Sequence, residues 1–148
     1  MARNILVFQD LISKLPVLRE ELRRLGVGVL IVTGGKDALD KATKMGAEAV
    51  LLGVNMPQMG GTETFEAILI HCPKTRTFLV RRSPHEYVPD AFLESRAEGF
   101  AEIEAAQQKI GAVLIPMFGG DWNAYSKKDL RPPKDAVEQR LAQRFPTQ

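Results

Sequence analysis

A chain of 148 residues, 45% hydrophobic and 26% charged, is long enough to bury one core without disulfides or metal. Its net charge of +2 gives no strong attraction to nucleic acid or to a membrane surface, and no apolar stretch approaches the ~20 residues of a membrane span. The single cysteine, Cys72, excludes an intramolecular disulfide and favours a reducing, cytoplasmic setting. We therefore predict one domain over residues 1–148.

Apolar runs alternate with helix-like patterns along the first half of the chain. Ile5–Phe8 is predicted as the first strand, and leucines then recur at steps of three and four, which is typical of an amphipathic helix. The later strands are predicted at Val29–Val32, Ala49–Leu52, Thr77–Val80 and Gly111–Pro116. Strands that alternate with helices predict a parallel sheet covered by helices on both faces.

The second half of the chain is predicted from weaker patterns. A helix that begins at Pro89 would carry Phe92 and Phe100 on one side. The stretch 119–133 is predicted as a polar loop that contains Trp122 and Tyr125. A last helix at about 134–145 is expected to dock on the domain, because its apolar residues share one face.

The third predicted strand ends in a distinctive turn. The sequence from Gly53 to Gly61 is Gly-Val-Asn-Met-Pro-Gln-Met-Gly-Gly. It resembles the end of the third strand of bacterial response-regulator receiver (CheY-like) domains, whose pattern is Asp-x-x-Met-Pro-x-Met-x-Gly. Gly53 stands where that pattern has its phosphate-accepting Asp. The resemblance implies a flavodoxin-like α/β three-layer sandwich with five parallel strands in the order 2-1-3-4-5.

The same resemblance implies a degenerate phosphorylation pocket. Receivers hold Mg²⁺ with two acidic residues after strand one, where this chain has Gln9 and Asp10. Arg81 occupies the position of a Ser or Thr after strand four, and Ile115 that of a Lys after strand five. Because Gly53 offers no nucleophile, we expect no catalytic residue and no cofactor, with Asp10 at most a weak metal ligand.

These substitutions favour an atypical or pseudo-receiver that is not an enzyme. We expect it to act in a two-component-type phosphorelay pathway of bacteria through protein contacts that need no phosphorylation. The expected contact surface, to a protein partner or a second copy, is built from helix four, strand five and helix five. Its candidate contact residues are Phe92, Phe100, Trp122 and Tyr125.

Two alternatives remain at this point. The space left by Gly53, next to Arg81, could hold a small ligand or an anion. Basic residues between Lys127 and Lys134 follow Trp122 and Tyr125, an arrangement that can bind single-stranded nucleic acid. Packing on the domain or a protein interface is the more common role of such aromatic residues, so nucleic-acid binding is not expected.

Overall fold

A computed structural model describes residues 3–125, and its centre is a five-stranded parallel sheet. The strand order is 2-1-3-4-5, which confirms the predicted flavodoxin-like topology. The central strand is buried along its whole length, as its uninterrupted apolar sequence predicts. The strands are β1 (Asn4–Phe8), β2 (Gly28–Val32), β3 (Ala49–Gly53), β4 (Arg76–Arg81) and β5 (Phe100–Glu102).

Helices connect the strands and cover both faces of the sheet. They are α1 (Gln9–Ile12), α2 (Pro16–Arg24), α3 (Gly35–Met45), α4 (Gly61–His71), α5 (Asp90–Ser95) and α6 (Ile103–Met117), with 3₁₀ turns at Ala97–Gly99 and Trp122–Tyr125. α2 packs against α6 in one layer, and α3 packs against α4 in the other. Phe92 of α5 contacts Phe65 of α4 edge to face, with 5.1 Å between the ring centroids. No helix within residues 3–125 is long and apolar enough to cross a membrane.

A side-chain acceptor ties the α2–α6 layer together. α2 begins with Pro16 and has no capping side chain of its own. Gln107 of α6 instead accepts hydrogen bonds from the backbone N–H groups of Val17 and Leu18, at 2.7 and 3.0 Å. These donors lie in the first turn of α2, where no carbonyl within the helix can reach them. A buried amide from a distant segment therefore fixes where α2 starts.

The prediction of strand five at Gly111–Pro116 is wrong. This run lies in α6, and β5 falls instead at Phe100–Glu102, inside the helix predicted from Pro89. A short apolar run is compatible with a buried strand or a buried helix, and periodicity alone does not separate them. The helix forms because the buried positions of α6 recur at steps of three and four along 15 residues. The helix predicted at 134–145 lies outside the described residues.

Candidate functional site

Four of the five predicted pocket residues lie at the carboxyl ends of neighbouring strands. Gln9 and Asp10 follow β1, Gly53 ends β3, and Arg81 ends β4. β1 and β3 are neighbours, and β3 pairs with β4 so that Gly53 lies opposite Val80. The carboxyl ends of parallel strands form the crevice in which open α/β sheets bind ligands. These four residues therefore lie together along one edge of the sheet.

Ile115 does not belong to this edge, and its assignment was wrong. It lies in α6 and is fully buried in the core. The mistake follows from the misplaced fifth strand, because a residue at a strand end faces the crevice whereas a buried helix position faces the sheet. Glu102 is the residue that ends β5, and the sequence reading missed it.

The space beside Gly53 is occupied by Phe8. A Cβ atom built on Gly53 would lie 3.0 Å from Cδ2 and 3.2 Å from Cε2 of the Phe8 ring, closer than ordinary van der Waals contact. Phe8 ends β1 and is almost fully buried. The absence of a side chain at Gly53 therefore lets an aromatic ring pack against the strand, and the expected opening is not present there.

Arg81 is paired with Glu102 across the gap between β4 and β5. Its Nε donates to both carboxylate oxygens of Glu102, at 2.9 and 3.0 Å, and its Nη2 also bonds Oε1. Hydrogen bonding to Glu102 holds the pKa of the Arg81 guanidinium above its ordinary value. The guanidinium also lies 5.5 Å from the centre of the Phe100 ring. The positive charge of Arg81 is thus committed to a neighbouring acid.

Arg82, which the sequence reading did not single out, holds the other acidic groups. Its Nη1 donates to Oδ2 of Asp10 at 2.9 Å, and its Nη2 lies 3.4 Å from the backbone oxygen of Asn55. Its Nη2 is 3.5 Å from Oε2 of Glu86, whose Oε1 accepts the backbone N–H of Arg82 at 2.6 Å. We call these groups the Arg82 cluster: Asp10, Arg82, Glu86 and the Asn55 carbonyl. The signal available was the Arg81-Arg82 pair directly after an apolar strand.

The candidate contact residues divide by exposure. Phe92 and Trp122 are buried, so the proposal that they form a surface is not supported by their positions. Trp122 packs its ring on Gly111, where a Cβ atom would lie 2.3 Å from it. Phe100 is half-buried beside Arg81, and the side chain of Tyr125 lies outside the described residues.

Tyr87 is the strongly exposed aromatic residue at this edge. Its side chain is 79% exposed, whereas Glu86 and Val88 on either side of it are buried. These two buried neighbours fix the backbone of the loop after β4, so the Tyr87 ring is held outward. Aromatic side chains held in this way are favoured anchors of protein interfaces. The prolines at 84 and 89 that bound this loop were the available sequence signal.

A metal centre built from side chains is not found in the described part of the chain. No group of three or more His, Cys, Asp or Glu residues within it could hold an ion. The nearest acids at the strand ends, Asp10 and Glu86, both contact Arg82. This geometry gives no support for Asp10 as a metal ligand.

Comparison with known proteins agrees with the topology. The sequence matches no protein-family model and no curated relative. Among solved structures, the chemotaxis response regulator CheY4 of Vibrio cholerae is similar, with 24% identity and a TM-score of 0.56 over 77% of this chain and 100% of that one. A CheY-like receiver domain protein of Methanospirillum hungatei JF-1 has 17% identity and a TM-score of 0.57, over 76% and 93% of the two chains. The fold is that of a receiver domain.

The receiver fold also occurs in a structure with its metal in place. The receiver domain of the sensor histidine kinase PA1611 from Pseudomonas aeruginosa has a magnesium ion coordinated in its active-site cleft. It is 17% identical to this chain, with a TM-score of 0.50 over 81% of this chain and 100% of that one. Identities this low establish the shared fold and leave the chemistry to the residues at the strand ends.

Proposed function

We propose that this chain is a receiver-like signalling module that acts by protein–protein contact without phosphorylation, in a two-component-type pathway. The observation that carries the proposal is the end of β3, where Gly53 supplies no nucleophile and the Phe8 ring occupies the adjacent space. A phosphoryl group is accepted by a nucleophilic side chain, and Gly53 has none to offer.

The charges around Gly53 support the same proposal. A phosphoryl group carries nearly two negative charges and is held by cations. The resemblance places a lysine at the end of strand five, and β5 ends instead at Glu102. Arg81 is neutralised by this acid, and Arg82 by Asp10 and Glu86. The edge therefore offers little uncommitted positive charge to an incoming anion.

The same contacts give no support to the anion-sensing alternative. That alternative needs an opening beside Gly53 and an arginine that is available for a ligand. Phe8 occupies the space, and Glu102 holds Arg81 through both carboxylate oxygens. These contacts therefore favour a role in protein contact over anion sensing.

The first experiment tests independence from phosphorylation by intact mass. The native chain is incubated with acetyl phosphate and Mg²⁺ beside a receiver domain known to be phosphorylated by this donor. We expect no mass increase on the native chain, whereas an adduct on it would overturn the proposal. Gly53→Asp with Phe8→Val, which makes room for the new side chain, tests whether a carboxylate alone restores acceptance. Gly53→Ala with Phe8→Val is the matched control.

The second experiment tests the contact surface, for which we propose Tyr87. Sedimentation of the purified chain first decides between self-association and a separate partner. The association is then measured with purified components for Tyr87→Ala and for Ile70→Ala. Ile70 is the matched control because it is 73% exposed but lies near the end of α4. We expect at least about a thirtyfold loss of affinity for Tyr87→Ala, which corresponds to the ~2 kcal/mol of an interface hot spot, and little change for Ile70→Ala. Equal effects would contradict the assignment of Tyr87.

A further inference from the structure

The Arg82 cluster joins three segments that are distant in the sequence. Asp10 lies in α1 directly after β1, Asn55 lies in the turn after β3, and Glu86 lies in the loop that leads to α5. The guanidinium contacts an oxygen of each segment, at 2.9, 3.4 and 3.5 Å. A planar guanidinium with five N–H donors is suited to several oxygen acceptors at once.

The cluster is also partly enclosed by the protein. Glu86 is buried, and a buried carboxylate is strongly unfavourable unless it is paired and hydrogen-bonded. The Arg82 guanidinium lies 5.8 Å from the centre of the Phe8 ring, which covers one of its sides. Within the described chain, the buried Nε of Arg82 has no hydrogen-bond partner. The position of Arg82 therefore provides hydrogen bonds to the oxygens of its neighbours, although one of its own N–H groups is left without an acceptor.

We propose that Arg82 is a built-in cation that holds these three segments together and takes the place that a divalent ion could occupy among their oxygens. Two carboxylates and a carbonyl are hard oxygen donors, the type that Mg²⁺, Mn²⁺ and Ca²⁺ bind. With Arg82 present, its positive charge offsets one of the two negative charges of Asp10 and Glu86 and its guanidinium fills the space between them, so the native chain has no use for an ion there. Without Arg82, the two carboxylates repel each other and become a site for a divalent cation.

This proposal assigns a specific role to the loop after β4. Glu86 is bonded both to the backbone N–H and to the guanidinium of Arg82, so the cluster fixes the segment that presents Tyr87. A metal-dependent arrangement would change with ion concentration, whereas the guanidinium is always charged. The loop is thus held in one arrangement at any level of divalent ion.

The test compares divalent-ion binding by the native chain, Arg82→Ala and the matched control Arg81→Ala. Thermal unfolding is followed with and without excess Mg²⁺, and separately Mn²⁺. We expect no shift of the melting temperature with added ions for the native chain. We expect none for Arg81→Ala either, because removing Arg81 leaves a single carboxylate, Glu102, and one carboxylate is a weak site for an ion. For Arg82→Ala we expect the melting temperature to rise by about 3–5 °C, because an ion that binds only the folded state stabilises it. The added substitution Asp10→Asn should abolish that rise.

Three results would overturn the proposal. The first is a rise for the native chain equal to that of Arg82→Ala, which would show that the arginine does not occupy the ion's place. The second is a folded Arg82→Ala that shows no rise, and the third is a rise that persists after Asp10→Asn. If Arg82→Ala does not fold, Arg82→Gln provides the same test with a neutral side chain of similar length.

Amide hydrogen exchange provides an independent readout of the tie between segments. In Arg82→Ala without divalent ions, we expect about tenfold faster exchange at the non-proline amides of residues 83–88 than in the native chain, because local opening no longer has to break the contact between Glu86 and the guanidinium. Mg²⁺ should restore part of that protection. Unchanged exchange in this loop would contradict the proposed tie. None of these measurements involves phosphoryl transfer or a partner, so their failure is separate from failure of the proposed function.

Discussion

Two adjacent arginines at the end of β4 contact two different regions of the same sheet edge. On the β5 side, Arg81 binds Glu102, a single acid whose side chain is 41% exposed. On the β1 side, Arg82 reaches Asp10, the Asn55 carbonyl and the buried Glu86. Successive residues of an extended chain point to opposite sides, which explains why neighbours in sequence have no partner in common.

The difference between these regions shows that geometry alone does not measure the energetic weight of an ion pair. The Arg81–Glu102 pair has the better geometry, with Nε bound to both oxygens. This pair is nevertheless partly exposed, with 23% of the Arg81 side chain and 41% of the Glu102 side chain accessible, so water and salt compensate for part of its loss. Breaking a pair with a buried member leaves a charge that water cannot reach, and this costs far more. The less regular cluster around Arg82 should therefore matter more for stability.

Removing each arginine in turn tests this comparison and gives the largest effect we expect. Arg82→Ala should lower the free energy of unfolding by about 2 kcal/mol, below the 3–5 kcal/mol typical of fully buried pairs, because the Arg82 side chain is 30% exposed. Arg81→Ala should give a smaller loss, because both members of its pair keep access to water. Urea unfolding at pH 7 measures both values.

Replacement of the buried acid, Glu86, serves as the control for the arginine variants. Glu86→Gln removes the buried charge while keeping an acceptor, so Arg82→Ala in the Glu86→Gln background should cost less than Arg82→Ala alone. Such non-additivity is expected for residues in contact. Additive losses, or a larger loss for Arg81→Ala than for Arg82→Ala, would reverse the ranking of the two regions.

The sequence predicts the first half of this fold well for a physical reason. β1 to β4 are apolar runs bounded by charged or turn-forming residues, so both their type and their position can be read directly. β5 has three residues, of which only Ala101 is buried, and it therefore carries no recognisable pattern. The longest apolar run in that part of the chain belongs to α6, and it was therefore predicted as the fifth strand.

The sequence predicts which side chain is missing from the candidate site, but it does not predict which side chains contact one another there. The motif around Met56 and Pro57 locates Gly53, and the lack of a side chain there follows from the sequence itself. Which side chain fills that space depends on how β1 packs beside β3, so Phe8 could not be identified. The partner of each arginine depends on where the chain turns after β4. Glu86 and Glu102 are therefore visible only in three dimensions.

Asp37, in the first turn of α3 after β2, is a fourth acid at this edge, and we expect the smallest effect of the comparison there. Asp37 accepts the backbone N–H of Thr33 at 3.0 Å and lies 3.2 Å from Nζ of Lys41. The hydrogen bond from Thr33, followed by that from Lys41, holds the pKa of Asp37 below its ordinary value, although burial opposes this. The ionised form is therefore favoured in the folded state, and the contribution of Asp37 is complete above its unfolded pKa of about 3.9.

This contribution is lost as pH falls through the lower pKa of the folded state. Asp37→Asn should therefore reduce the free energy of unfolding by about 0.5 kcal/mol at pH 7, in the range of exposed charged contacts, with a difference that shrinks below pH 4. Urea unfolding of both proteins between pH 7 and pH 2.5 measures the convergence. Parallel curves over this range would show that the charge of Asp37 does not act through Thr33. Convergence would show that the ionised carboxylate of Asp37, which is 27% exposed, stabilises the fold through the groups that it binds.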